Sequence, residues 1–267
     1  MKFYQQILEE KLEKIKLSNK KGHYHKWTPS SIEKFWKINS SSLILEQFYP
    51  IEYWYDLVEW LRPKINKQIE KICDIGCGNG NMIKILSENF PEAEIVGVDL
   101  TYDSLKFAKD RFKSNYKITF KVGNITALPF PDDSIDLITV TEVLEHLFLE
   151  DFFKGFNEVS KKLRKGAYLL ATIPFNEELG FVSCPECGCV FHPYQHMIFE
   201  ITYDDIKNVC HKNGLEVIGF YQAFNRNIPK DNIKSLLKRI ALKILPSFLL
   251  VKLFPKPGAT GFLARKL

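Results

Sequence analysis

Three glycines at alternate positions, Gly76, Gly78 and Gly80, constrain the fold of this chain more than any other feature of its sequence. They follow a strand-like run that begins at Lys71, and residues 81–89, which come directly after them, have the apolar spacing of a helix. Glycine is needed where φ is positive and where the backbone must approach a ligand without an intervening Cβ. The stretch therefore predicts a strand, a tight turn and a helix N-terminus that bind a nucleotide-like ligand. An ordinary sharp turn is the simpler alternative.

The polar residues around the turn narrow the choice of ligand. A GxGxxG dinucleotide fingerprint would place its last glycine at position 81, where this chain has Asn81. Asp74, two residues before the first glycine, disfavours a pyrophosphate and favours a cationic ligand. A second strand-like run ends in Asp99, which is placed to accept hydrogen bonds from both hydroxyls of a ribose.

This acidic glycine turn with a downstream acid resembles the class I S-adenosylmethionine-dependent methyltransferases. The resemblance covers about residues 70–223 and implies S-adenosylmethionine as the cofactor. It assigns cofactor binding to Asp74, Gly76, Gly78, Gly80, Asp99, Asn124, Ile125 and Thr141. Family members commonly carry an acid where Asn124 stands, and the amide oxygen of Asn124 can also accept from the adenine amino group.

Alternating strand-like and helix-like segments predict an α/β fold with a parallel sheet. The resemblance implies a doubly wound, seven-stranded, mostly parallel Rossmann-like sheet whose last two strands are antiparallel. We expect a helical, aromatic-rich cap, a core with a Cys/His insertion at 176–200, an amphipathic helical insertion and a final strand. Their bounds are 1–66, 67–225, 226–258 and 259–267. The aromatic residues between 24 and 62 either cover the substrate or pack the cap on the sheet.

Residues 141–146, TEVLEH, carry the candidate catalytic side chains. If they begin a helix after the fourth strand, Glu142, Glu145 and His146 share one face. His146 and Glu142 are predicted to be catalytic, because methyl transfer needs alignment and in some cases a base. The pattern is similar to the ExxEH of small-RNA 2′-O-methyltransferases and ubiquinone-biosynthesis O-methyltransferases, which bind a divalent metal with it and a later histidine. A divalent metal at the three residues and a packing or capping role are the alternatives.

A second constellation, SCPECGCVFHPYQH, spans residues 183–196. Cys184 and Cys187 have CxxC spacing, and His192 and His196 follow at metal-ligand spacing, so these four complete a tetrahedral zinc site. Cys189 could replace one histidine. His196 also resembles a family histidine that faces the active site. Free cytosolic cysteines beside exposed histidines are the alternative.

Composition bears on location and partners. The chain has 267 residues, a formal charge of +5 and lysines spread along its length, so a nucleic-acid partner is not favoured. The first residues lack the apolar core of a signal peptide, and six cysteines without one favour a reducing, cytoplasmic location. Apolar residues with helical spacing and interspersed lysines at 231–254 predict either peripheral membrane contact or a docked face.

Taken together, the sequence predicts an S-adenosylmethionine-dependent methyltransferase that acts on an oxygen of a small-molecule, saccharide or lipid-linked acceptor, because aromatic residues and mild charge suit a pocket. One alternative is an RNA 2′-O-methyltransferase with a metal site. The other is a non-catalytic cofactor-binding or scaffold protein.

Overall fold

The computed structural model describes residues 2–3, 25–39, 51–175, 177, 182–191, 195–224 and 255–267. Several predictions concern residues outside these ranges. They are the helical start of the chain, part of the aromatic cap, the proposed zinc ligand His192 and the amphipathic segment 231–254.

The described helices and strands alternate along most of the chain. The helices are α1 (Pro29–Asn39), α2 (Ile51–Leu61), α3 (Asn81–Asn89), α4 (Tyr102–Phe112), α5 (Leu149–Lys162) and α6 (Tyr203–Lys212). The strands are β1 (Lys2–Phe3), β2 (Lys71–Ile75), β3 (Glu94–Asp99), β4 (Ile118–Val122), β5 (Ile135–Val140), β6 (Leu163–Thr172), β7 (Val182–Ser183), β8 (Val190–Phe191), β9 (Ile198–Phe199), β10 (Leu215–Phe224) and β11 (Pro255–Lys266).

The main sheet has seven strands in the order β10-β11-β6-β5-β2-β3-β4. Neighbouring strands from β4 to β6 are parallel, whereas β11 is antiparallel to both β6 and β10. The order reverses at β2, and this is where ligands bind in open α/β sheets. The predicted doubly wound, mostly parallel, seven-stranded fold is confirmed.

Helices cover both faces of the sheet, which is why burial does not alternate along its central strands. All six positions of β5 are buried. On one face the strands pack with Phe152 and Phe156 of α5 and Ile206 of α6. On the other they pack with Leu57 of α2 and Ile83 of α3. The carboxyl ends of β2, β5 and β6 are thereby held at one edge of the sheet.

Two long strands have irregular starts. β6 starts at Leu163, directly after α5. Gly166 has a φ of 74° and lies within the strand, where the pairing with β5 shifts register, so it accommodates an irregularity in the strand. β11 begins at Pro255, which pairs with Phe224, so the last strand starts inside the predicted insertion 226–258.

The N-terminal part docks on the segment that follows the cysteine region. β1 pairs with β9, and Trp27 and Ile32 bury their side chains against Met197 and Phe199. This small apolar cluster brings α1 to the edge of the sheet where β5 and β6 end. For these residues the aromatic cap is packed on the fold.

Asp136, in β5, anchors the opposite edge of the sheet. Its buried carboxylate accepts hydrogen bonds from Lys67 Nζ, from the backbone N–H groups of Glu70 and Lys71, and from Arg164 Nη1, at 3.0–3.1 Å. Burial by itself would raise the pKa of Asp136, but these hydrogen bonds outweigh it and hold the pKa below the ordinary value. The ionised carboxylate therefore stabilises the start of the parallel sheet.

We predict that Asp136→Asn lowers the free energy of unfolding at neutral pH by about 1–3 kcal/mol, because donors in a buried site lose a charged acceptor. Because folding lowers the pKa of Asp136, the stabilisation by its carboxylate is fully present above the unfolded-state pKa of about 3.9. It is lost as the pH falls through the lower folded-state pKa. Urea unfolding across this range measures it. The exposed Asp132→Asn is the matched control, and equal effects of the two variants would contradict the prediction.

Candidate active site

The glycine turn has the left-handed backbone that its sequence predicts. The φ angles of Gly76, Gly78 and Gly80 are 71°, 49° and 84°. A Cβ at Gly76 would overlap Cγ2 of Val143, and one at Gly80 would lie 2.7 Å from the ring of Phe112. Apart from its two chain neighbours, no atom of the described residues lies within 4 Å of the position of a Cβ at Gly78. Two glycines are therefore required by packing, whereas the third borders open space in which a ligand fits.

Asp99 closes one side of this space. Its Oδ2 accepts from the N–H of Gly78 at 3.0 Å, and its Oδ1 accepts from the N–H of Thr101 at 3.2 Å. Burial raises the pKa of Asp99, and the backbone hydrogen bonds oppose the rise. Each carboxylate oxygen has a second lone pair for a ligand hydroxyl. The carboxylate is thus fixed in place and fits the two hydroxyls of a ribose.

Asp74 lies at the end of β2, immediately before the turn. Its side chain is buried, and Oδ1 accepts from Thr139 Oγ1 at 2.6 Å. Among the described residues, Oδ2 has no hydrogen-bond partner. Burial raises the pKa of Asp74 to about 7, although the Thr139 hydrogen bond opposes the rise. A buried acceptor without a partner is costly, and a cationic group of the ligand would satisfy it. The chemistry of S-adenosylmethionine fits Asp74, Gly78 and Asp99.

The other predicted cofactor residues differ in what they offer. Asn124 is exposed, and its Oδ1 accepts from the N–H and Oγ1 of Thr126 at 3.0 and 3.1 Å, so the oxygen expected to face adenine is bound within its own loop. Ile125 buries its side chain in the core. Thr141 is buried directly after β5. Leu100, which sequence reasoning did not select, is 46% exposed directly after Asp99 and presents apolar surface.

Residues 141–146 do not begin the α-helix that would have placed Glu142, Glu145 and His146 on one face. The chain bends after β5, Glu142 has a φ of 55°, and a single 3₁₀ turn covers Leu144–His146. The N–H of Glu142 donates to Thr172 Oγ1 at 2.9 Å, and this hydroxyl donates to Glu142 Oε1 at 2.7 Å. A positive φ at a residue other than glycine is a strained conformation that persists where the surroundings enforce it, often at functional sites. The two hydrogen bonds to the end of β6 enforce it here.

Glu145 lies at the centre of the site. Its side chain is 0% exposed, and within the described part of the chain neither carboxylate oxygen has a hydrogen-bond partner. Burial raises the pKa of Glu145 well above its ordinary value, and the nearby charges of Glu142 and Glu177 raise it further. His146 Nε2 lies 3.9 Å from Glu145 Oε1. A buried carboxyl beside two others takes up a proton or a cation.

His196 belongs to this site. Its Nδ1 lies 2.6 Å from Glu177 Oε2, and its ring centroid is 5.0 Å from that of His146. Ligand atoms of Glu145, His146 and His196 lie within 4.8 Å of one another, a spacing that can hold a metal ion. The structure thus gathers a set different from the predicted Glu142, Glu145 and His146.

The cysteine turn lies between β7 and β8 and presents Cys184 and Cys187. In the ranges that the structure describes, no Cys, His, Asp or Glu joins both thiols to make a three-membered group with all ligand atoms within 4.8 Å. The predicted grouping of His196 with these cysteines is therefore not present. His196 instead pairs with Glu177 and packs against His146.

Sequence reasoning missed three residues that fix the histidines. Trp36 of α1 donates from Nε1 to Gln195 Oε1 at 2.9 Å, and its ring lies 4.7 Å from that of His146. Gln195 donates from Nε2 to the backbone oxygen of His146 at 3.1 Å. The third residue is Glu177, the partner of His196. A local sequence pattern cannot indicate such pairs, because Trp36 and Gln195 are 159 residues apart in sequence.

Comparison with known proteins identifies the core. Residues 73–171 match the family model described as a methyltransferase domain. The O-methyltransferase rstn1 of Aspergillus nomiae is 25% identical over 197 residues, which cover 66% of this chain and 84% of the relative. Phosphoethanolamine N-methyltransferase of Plasmodium falciparum is 32% identical over 102 residues, 38% of each chain. The chain likewise spans only 40% of an uncharacterised methyltransferase of Schizosaccharomyces pombe.

Solved structures share the fold at low identity. A Clostridium acetobutylicum S-adenosylmethionine-dependent methyltransferase has a TM-score of 0.59 at 18% identity and covers 88% of this chain and 98% of its own. One from Methanosarcina mazei has a TM-score of 0.55 at 18% identity and covers 78% of this chain and 97% of its own. These structural similarities show the same fold over the whole sheet, beyond the residues that the family model matches.

We predict that Gly78→Val weakens S-adenosylmethionine binding about a hundredfold or more, because its side chain enters the ligand space. The side chain meets no packed neighbour, but the φ of 49° strains a β-branched residue, so thermal unfolding must first show that the variant is folded. Gly76→Ala is the contrasting variant. It should lose about 1–3 kcal/mol of stability through the overlap with Val143. Calorimetric titration and thermal unfolding separate the two effects, and normal binding by Gly78→Val would exclude the turn as the binding site.

We also predict that cofactor affinity depends on Asp74 through pH. A cationic ligand binds the ionised carboxylate, so wild-type affinity should fall as the pH drops below about 7, approaching tenfold per pH unit, and should be level above it. Asp74→Asn should bind more weakly at high pH and lose this dependence. Calorimetry from about pH 5.5 to 8.5 tests it. The same slope in both proteins would assign the titration to another group.

Proposed function

The chain belongs to the class I S-adenosylmethionine-dependent methyltransferases, and we propose that it methylates an oxygen atom of a small-molecule, saccharide or lipid-linked acceptor. The observation that carries the proposal is the contact between the two halves of the site. Because Gly76 has no Cβ, Val143 packs against the glycine turn. The cofactor turn and the acid–histidine cluster, defined as Glu142, Glu145, His146, Glu177 and His196, therefore lie at one edge of the sheet.

The residues of the glycine turn hold and orient the cofactor, which when bound supplies an electrophilic methyl group on a sulfonium. Asp99 accepts from the ribose hydroxyls, and Asp74 attracts the positively charged methionine end. Asp74 is placed by β2, while the acid–histidine cluster is placed by the ends of β5 and β6. Holding both reactants on one rigid sheet converts an encounter between two molecules into an aligned displacement.

His146 is the proposed general base. Its Nδ1 lies 3.4 Å from the backbone oxygen of Gln195, and a proton on Nδ1 would direct Nε2, as acceptor, toward Glu145. Trp36 packs edge-on against the ring and limits its rotation. Glu142, bonded to Thr172 and close to Glu145, is proposed to orient the acceptor hydroxyl. Removing that proton makes the acceptor oxygen a better nucleophile.

The cluster also fits a divalent metal. Glu145, His146 and His196 would hold it, and Glu177 would orient His196 through Nδ1, the usual arrangement of a carboxylate behind a metal-bound histidine. Such an ion would act as a Lewis acid on the acceptor oxygen. Neutralising three neighbouring carboxylates is the physical reason that favours its binding. Zinc at Cys184 and Cys187 is a second proposed metal, on the cysteine turn.

The proposed acceptor class is supported by a group of aromatic rings beyond the end of β6 and by the charge of the cluster. Phe175, Tyr203 and Phe220 form mutual ring contacts beyond the end of β6, with centroids 4.5–5.9 Å apart. Aromatic faces suit sugars and apolar groups, whereas the carboxylates of the cluster repel a polyanion. These features favour an uncharged hydroxyl acceptor over RNA. None of the helices in the described ranges is long and apolar enough to cross a membrane.

The test is to incubate the protein and methyl-labelled S-adenosylmethionine with cell extract and to separate small molecules, lipids and RNA. We predict label in the small-molecule or lipid fraction. His146→Gln, which keeps a polar side chain and removes the proposed base, should lower transfer at least about a hundredfold and leave cofactor affinity unchanged.

Three other outcomes of this experiment would change the proposed function. Label in RNA would replace the proposed acceptor class with a nucleic acid. Cofactor binding without labelled product in any fraction would indicate a binding or scaffold protein. Full transfer by His146→Gln would remove the proposed base from the chemistry.

A further inference from the structure

The hairpin of β7 and β8 carries cysteines that the proposed methyl transfer does not use. Its turn is closed by two backbone hydrogen bonds, from the N–H of Cys184 to the oxygen of Cys189 at 2.8 Å and from the N–H of Gly188 to the oxygen of Cys184 at 2.9 Å. Gly188 has a φ of 69°, which a side chain would disfavour. The turn is thus a defined knuckle around the first cysteine.

Backbone donors in this knuckle converge on one sulfur. The N–H groups of Glu186 and Cys187 hydrogen-bond to the Cys184 sulfur. Cys187 follows Cys184 at CxxC spacing, so both ends of the knuckle carry a thiol. Two thiolates at this spacing around a tight turn are ligands that a zinc ion binds.

The same hairpin anchors the start of α1. The N–H of His25 donates to the backbone oxygen of Val190 at 2.9 Å, directly after the cysteine turn. Trp27 is buried two residues later, and Thr28 and Ser31 exchange hydrogen bonds at the beginning of the helix. A displacement of the hairpin would therefore move the entry of the helix.

The C-terminal half of α1 contacts the acid–histidine cluster. Trp36 donates to Gln195, which in turn donates to the backbone oxygen of His146. Gln195 is fully buried and has a φ of 58°, so its backbone conformation is strained and held by its neighbours. One short helix thus joins the cysteine turn to the proposed base.

We propose that the cysteine turn binds one Zn²⁺ through the thiolates of Cys184 and Cys187, and that this ion fixes α1 over His146. Binding releases the thiol protons to solvent and cross-links the two cysteines of the turn. The catalytic consequence rests on the proposed methyl transfer. Ion binding and helix anchoring do not.

Co²⁺ serves as the spectroscopic probe for the first half of the proposal. The full chain stripped of metal and titrated with Co²⁺ should develop thiolate-to-metal charge-transfer absorption, which oxygen and imidazole ligands of the acid–histidine cluster do not produce. Cys184→Ser/Cys187→Ser should lack this absorption, whereas Ser183→Ala, on the same hairpin, should keep it. Absence of the band in the wild type, or its survival in the double variant, would overturn the site.

Hydrogen exchange of the α1 amides tests the second half. Chelation should accelerate exchange over residues 29–39 about tenfold, and added Zn²⁺ should reverse it. This comparison uses the wild-type chain, so it stands even if the double variant does not fold. Trp36→Phe should accelerate exchange similarly while keeping the Co²⁺ band. Unchanged exchange after chelation would overturn the anchoring role, and cofactor calorimetry on the same samples reports separately on the proposed methyltransferase.

Discussion

The approach of Val143 to the backbone of Gly76 is the constraint on which the rest of the site depends. Any Cβ at Gly76 would push away the segment that follows β5, and with it the strained Glu142 and the buried Glu145. The glycine has a double role, because the same positive φ that forms the ligand turn also creates the space for this contact. A parallel sheet with its reversal at β2 supplies both strand ends at one edge.

Buried negative charge gives this edge its chemistry. Asp74 and Glu145 both have carboxylate oxygens without partners among the described residues, and burial raises the pKa of each. In the apolar surroundings of strand ends, such groups destabilise the unliganded fold relative to a neutral core. Asp136, which lies in β5, has the opposite environment. Two cationic side chains and two backbone N–H groups donate hydrogen bonds to its carboxylate. The contrast separates a carboxylate that supports the fold from those that await a ligand.

The sequence predicted the sheet well, because its signals are local. Glycine spacing, apolar runs and an acid at a strand end fix the strands, and the parallel order with its antiparallel final pair is confirmed. Local rules failed at residues 141–146, where helical spacing was expected. There Thr172, 30 residues later, binds Glu142 and enforces a positive φ. Helix propensity and apolar spacing give no information about a partner so distant in sequence. The tertiary contact with Thr172 therefore overrode the local preference for a helix.

The grouping of His196 shows the same limit more clearly. By spacing it suited the predicted zinc ligands nine and twelve residues before it, yet it lies with Glu177 and with Glu145 and His146, which follow the end of β5. The position of His196 is set by the tertiary contacts of residues 195–199 and not by its closeness in sequence to Cys187. The N–H of Met197 donates to the oxygen of Glu145, and β9 pairs with β1. Because these contacts tie the segment to the strand edge, His196 lies in the acid–histidine cluster and not at the cysteine turn. Any metal at that turn would take its ligands from the thiols or from residues nearer to them.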